Sequence, residues 1–132
     1  MEFSHIEKQG IIANLVKLAQ VDRQMLPNEV IYIQSIALKL SIPPADFQDI
    51  LSRVDYLVSS LPSSPEVKQR MFYIVCNGMN IDGQSAQEEL EFCKRLGANL
   101  YLQNEKVAQV LEMLRQPNQD VMTEAVFIAA LN

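Results

Sequence analysis

Two short stretches carry carboxylates at a spacing that suits a hard cation. Val21-Asp22-Arg23-Gln24-Met25-Leu26-Pro27-Asn28-Glu29 sets an Asp seven residues ahead of a Glu, and Ile81-Asp82-Gly83-Gln84-Ser85-Ala86-Gln87-Glu88-Glu89 repeats the arrangement. In each, the Asp falls in a turn and the Glu in the first turn of the next helix, so both carboxylates belong to one helix–turn corner. Calcium takes several oxygen ligands at about 2.3–2.6 Å, and Asn80 is an auxiliary donor for the second corner. Read as a calcium loop starting at Gly78, the second stretch puts Asn80 third, Asp82 fifth, Gly83 sixth and Glu89 last. It departs where Gly78 replaces the first ligand and Ser85 replaces an apolar residue; the first stretch departs further, with Leu18 first and Arg23 in place of glycine. A working loop of that type is therefore not expected in either copy. Three readings stay open. The acids are architectural, since Asp-Gly forms turns and a Glu in a first helical turn gains about 0.3–1 kcal/mol from the macrodipole; or they hold a divalent cation; or they present an acidic surface to a protein.

The elements that must position these corners are helices, because apolar residues recur at helical spacing and nowhere alternate as in a half-buried strand. Ser4 with Glu7, and Ser85 with Glu88, have the form of a capping box. Pro27, Pro44 and Pro65 suit the first helical position, and Ser64, Asn104 and Asn118 or Asp120 are candidate caps. The spacing predicts helices near 4–20, 27–40, 44–54, 65–79, 86–97, 104–115 and 119–131, with a linker at 58–64. Gly97 suits either a helix end or a close helix contact.

The chain also repeats itself at a fixed offset, position n against position n+60. Ile12 stands against Phe72, Leu15 against Val75, Val16 against Cys76, Ile33 against Cys93, Ile36 against Leu96, Ile50 against Val110 and Leu51 against Leu111. Only 5 of the 42 pairs from residue 10 to residue 51 are identical, but these include Asp22 with Asp82 and Glu29 with Glu89. The preserved apolar register carries the case, because a stripe kept through three helices is a kept packing face. The expectation is one all-α domain over 1–132, with repeat units at about 10–60 and 70–120. Three-helix units share one core, and a C-terminal helix makes about seven helices.

At the acidic corner the sequence resembles the TerB-like tellurite-resistance family, whose signature runs from an apolar helix into A-x-A-D-G-x-(apolar)-x-x-x-E. The copies here are Ala19 to Glu29 and Met79 to Glu89, each followed by an apolar-x-apolar helix end, Leu40-Ser41-Ile42 and Leu100-Tyr101-Leu102. The resemblance covers roughly residues 10–115. It implies a duplicated all-helical domain that is not an enzyme and is associated with tellurite and other stress resistance. By position it implies Asp22, Glu29, Asp82 and Glu89 as metal ligands, with calcium the candidate ion. Arg23 departs from the pattern by placing a cation beside Asp22, which favours the second corner.

Composition removes other classes. The chain of 132 residues carries 11 Lys+Arg against 16 Asp+Glu, a net charge of −5, and shows no basic patch for nucleic acid. A single histidine, His5, excludes a multi-histidine zinc site and leaves Cys76 and Cys93 without an activating base elsewhere. Both cysteines sit at apolar helical positions and are expected as buried free thiols. The four glycines form neither G-x-G-x-x-G nor a Walker loop, and no G-x-S-x-G elbow occurs. No signal peptide or membrane span is expected. The cytoplasm is the expected location, an unidentified protein the expected partner, and homo-oligomerisation stays open. Most of the aromatic residues, five Phe and four Tyr, fall on the apolar stripes and are expected in the core. The last helix, apolar nearly all round, is expected to be buried.

Overall fold

The computed structural model describes residues 3–21, 27–79, 87–114 and 123–132. They form an all-helical bundle: α1 (His5–Gln20), α2 (Pro27–Lys39), a 3-10 turn (Pro44–Asp46), α3 (Phe47–Ser52), α4 (Val54–Val58), α5 (Pro65–Met79), α6 (Gln87–Asn99), α7 (Asn104–Leu114) and α8 (Glu124–Leu131). Among the described residues there is no strand and no helix long and apolar enough to cross a membrane.

Helix α1 is the hub. Its stretch from Gln9 to Val16 is buried without a break, as befits a helix apolar on every side, and it packs against α2, α3, α4, α5 and α6. Its start is the capping box read from the sequence. The Glu7 amide donates to Ser4 Oγ at 3.2 Å, and the Ser4 amide donates to Glu7 Oε1 at 2.7 Å. The one amide side chain in the middle of this helix, Asn14, donates to the Gly10 carbonyl at 2.8 Å, so its burial leaves its donor satisfied.

The two halves present the same elements at the offset read from the sequence. Helix α5 begins at Pro65 where α1 begins at His5, and α6 spans Gln87–Asn99 where α2 spans Pro27–Lys39. The helix ends match in detail. Ser41 (φ 60°) and Tyr101 (φ 61°) are the non-glycine residues with positive φ among those described. The Ser41 amide donates to Leu38 and the Ile42 amide to Ala37, while the Tyr101 amide donates to Ala98 and the Leu102 amide to Gly97, all at 2.9–3.0 Å. This is the Schellman closure, which satisfies carbonyls left over at a helix end. Most paired core positions hold as read: Ile12 and Phe72, Ile50 and Val110 are fully buried. Leu51 does not; it is 37% exposed whereas Leu111 is buried.

The third helices differ between copies. The expected helix 44–54 is a 3-10 turn and α3, and a further helix, α4 (Val54–Val58), fills the stretch between that helix and the linker expected at 58–64. Arg53 makes the break, with φ −123° and ψ 23°. Its guanidinium donates to Asp49 at 2.8 Å and to Gln9 of α1 at 3.3 Å, and beyond it α4 turns to bury Leu57 against the bundle. Lys17–Asp55 ties α4 to α1 at 2.6 Å, much as Arg70–Glu124 ties α8 to α5 at 2.6 Å. Two caps also differ from the expectation. Asn104 is the first residue of α7 rather than its cap, and α8 is capped by Thr123, whose hydroxyl accepts from Val126 at 3.3 Å. Ser85, Asn118 and Asp120 lie outside the described residues. Helix α8 buries one side through Phe127 and Leu131 and leaves Val126 exposed. Among the aromatics, Tyr56 and Tyr101 are exposed rather than core.

Candidate functional site

Of the acids singled out by sequence, Glu29 and Glu89 lie within the described residues; Asp22, Asp82 and Asn80 lie outside them. Each Glu is the third residue of its helix, α2 or α6, and each is buried, 6% and 2% exposed. They are the buried carboxylates among the described residues. Both have interaction partners, as burial demands, since a carboxylate removed from water without compensation is strongly disfavoured. Glu29 occupies a narrow crevice with Leu15, Leu18, Tyr32 and Gly78 among its walls. Oxygen donors of this kind suit a hard cation. Among the described residues no three His, Cys, Asp or Glu side chains gather.

Gly78 serves packing. A Cβ there would lie 2.8 Å from Leu15 Cδ2 and 3.4 Å from Tyr32 Cε2, so its absence lets the end of α5 cross close to α1 and α2 beside the Glu29 crevice. Gly97 does the same for α6 and α7, settling the choice between helix end and close contact: its Cβ would lie 2.9 Å from Val107 Cγ2.

Tyr32 forms the wall between this crevice and the next cavity. Its hydroxyl donates to the Ile74 carbonyl at 2.9 Å, joining α2 to α5. Burial, with Tyr73 and Cys76 nearby, holds the phenol well above its ordinary range. The neutral phenol is thus favoured by folding. Its contribution is complete below the unfolded value of about 10 and is lost as pH rises from there toward the folded value. Tyr32→Phe is expected to cost about 1 kcal/mol at neutral pH for the lost hydrogen bond and to flatten the alkaline decline in stability. Urea unfolding of both proteins across that range measures this. Cys76 and Cys93 are buried free thiols, and burial, then the hydrogen bond to Cys93, pushes the Cys76 thiol up, which keeps it protonated.

A cavity that sequence reading does not anticipate lies between α2 and α5. It measures about 560 Å³ and includes Tyr32, Ile36, Lys39, Ile74 and Asn77 in its walls. A second, of about 370 Å³, lies between α1 and α6 and includes Phe92, Leu96, Asn99, Asn14 and Lys17. These five positions correspond one to one at the offset of the repeat. The first helix of each unit therefore faces the second helix of the other, and the duplication generates two related clefts. A third groove of about 360 Å³ runs along the outer side of α2 between Leu38 and Phe47. In comparison with known proteins, no family model matches the chain, and no curated protein and no solved structure matches it.

Proposed function

We propose that this chain is a non-catalytic, stress-associated binding module of the TerB-like type, working in the cytoplasm through its two acidic helix–turn corners. The observation that carries this reading is the repetition of one acidic pair at the same point of both halves, Asp22 with Glu29 and Asp82 with Glu89, each Glu being the third residue of its helix. The chain's net charge of −5 draws cationic partner surfaces toward it.

The burial of both Glu side chains favours a second reading of the same corners, a divalent-cation site with calcium as the ion. A partner protein's surface reaches exposed acids, whereas a carboxylate buried as deeply as that of Glu89 is reached by a small ion. Asp82, Glu89 and Asn80 would supply oxygen donors at the second corner, Asp22 and Glu29 at the first.

Calorimetric titration with calcium, magnesium and zinc separates the two. The cation reading expects saturable calcium heat that Asp82→Asn abolishes at the second corner, because one carboxylate ligand of a small set carries a large share of the affinity. Absence of heat at millimolar calcium removes the cation and leaves the protein-binding reading. That reading in turn expects a partner retained by the wild-type chain and released by the Asp22→Asn/Asp82→Asn double variant.

A further inference from the structure

We propose that the cleft between α2 and α5 binds a small carboxylic acid with an apolar body. The cleft is separate from the acidic corners and does not depend on the function proposed for them. At about 560 Å³ it falls within the size range of small-molecule sites. Phe3, Tyr32 and Tyr73 give it aromatic walls, and Ile36 and Ile74 give it aliphatic ones.

Its charge selects the head group. Arg70 Nε donates to Glu124 Oε1 at 2.6 Å, and the Arg70 guanidinium lies 5.0 Å over the Phe3 ring, so this pair balances itself at one end of the cleft. Lys39 remains, exposed at the end of α2, and none of the ion pairs among the described residues uses it. A positive rim over apolar walls suits an anion with a hydrophobic body; an ammonium of the same shape would meet Lys39 unfavourably. The hydroxyl of Tyr32, bonded to the Ile74 carbonyl at 2.9 Å, fixes α2 against α5, so the cleft is held open before any ligand arrives.

The related cleft provides the internal contrast. There Asn14 replaces Ile74 and Asn99 replaces Lys39, while its lysine, Lys17, is paired with Asp55 at 2.6 Å. One copy therefore has Ile74 and Lys39 where the other has two amides; the second cleft keeps a cation of its own in Arg95, so the contrast between the copies lies in the apolar wall.

Decanoate and decyltrimethylammonium, one tail with opposite heads, test the proposal when titrated into the isotope-labelled full chain and followed by amide chemical shifts. The expected result is saturable one-to-one decanoate binding with shifts concentrated at residues 32–40 and 70–77. Lys39→Glu should weaken it about tenfold or more, as for loss of a charge-assisted contact, and decyltrimethylammonium should not saturate the site. The proposal is overturned if decanoate fails to saturate below its micelle concentration, if the shifts centre on Ile42 and Phe47 of the outer groove and spare residues 70–77, or if Lys39→Glu binds as well as wild type.

Discussion

Phe72→Ala is expected to cost about 3–5 kcal/mol of unfolding free energy. The side chain is fully buried and joins three helices of the second half. It projects from α5, its ring centroid lies 5.8 Å from that of Phe127 on α8, and its Cε1 lies 3.4 Å from where a Cβ would stand on Gly97 of α6. A cavity at such a junction closes poorly, because no one helix can move in without leaving another contact. Phe127 is also held edge-on by Tyr73 at 5.2 Å, so α8 keeps part of its anchorage. Phe72→Ala and Phe127→Ala should accordingly be less than additive, with a coupling of about 0.5–1.5 kcal/mol. Urea unfolding of the two single variants and the double variant gives all three values. A Phe72→Ala cost below about 1 kcal/mol would mean that α8 does not close the core.

Helix starts were legible because their chemistry is local. A serine three residues before Glu7, and prolines at 27 and 65, satisfy or remove helix-start amides using neighbours in the chain, and α1, α2 and α5 begin accordingly. Helix ends were less so. The usual sign of a left-handed closure is glycine, and here Ser41 and Tyr101 adopt it. What fixes them is the apolar residue that follows, Ile42 or Leu102, turned back to the bundle through its amide bond to Ala37 or Gly97. The break at Arg53 was hidden for a related reason. Its partner Gln9 belongs to α1, far back along the chain, and no periodicity within 44–54 reports a contact of that range.

The corners were half legible. The position of each Glu in a first helical turn followed from the turn residues before it, but its burial was not drawn from the sequence, since a polar first turn normally faces solvent. The signal was present in the register. Ile33, Ile36 and Ala37 stand four, seven and eight residues after Glu29, and Cys93, Leu96 and Gly97 stand likewise after Glu89; all six are buried. A carboxylate at the head of an apolar stripe shares the face of that stripe. The cleft between α2 and α5 had no comparable signal. It arises from packing between units, and Lys39 and Ile74 come together only when the first helix of one unit meets the second helix of the other.

Gly97→Val and Ala37→Val, changes to valine at equivalent points of the two copies, are expected to differ by about 2 kcal/mol or more. In the second copy α7 lies directly on α6, and a Cβ at 97 would already stand 2.9 and 3.1 Å from the two methyls of Val107. Val107 is buried and β-branched, so rotating it removes one clash by creating another. Adding valine's methyls there forces α6 and α7 apart and should cost about 3 kcal/mol. At 37 the neighbouring helix stands off. Ala37 is buried but lines, together with Phe47, the groove of about 360 Å³, which leaves room to take up part of the added volume, so the cost is about 1 kcal/mol. Thermal and urea unfolding of the two variants measure the difference. Equal losses would show that the groove beside α2 closes in solution as the α6–α7 contact does. Unequal losses in the expected sense would mean that duplication preserved the helices and their caps while the first copy gave up the third-helix contact that the second retains.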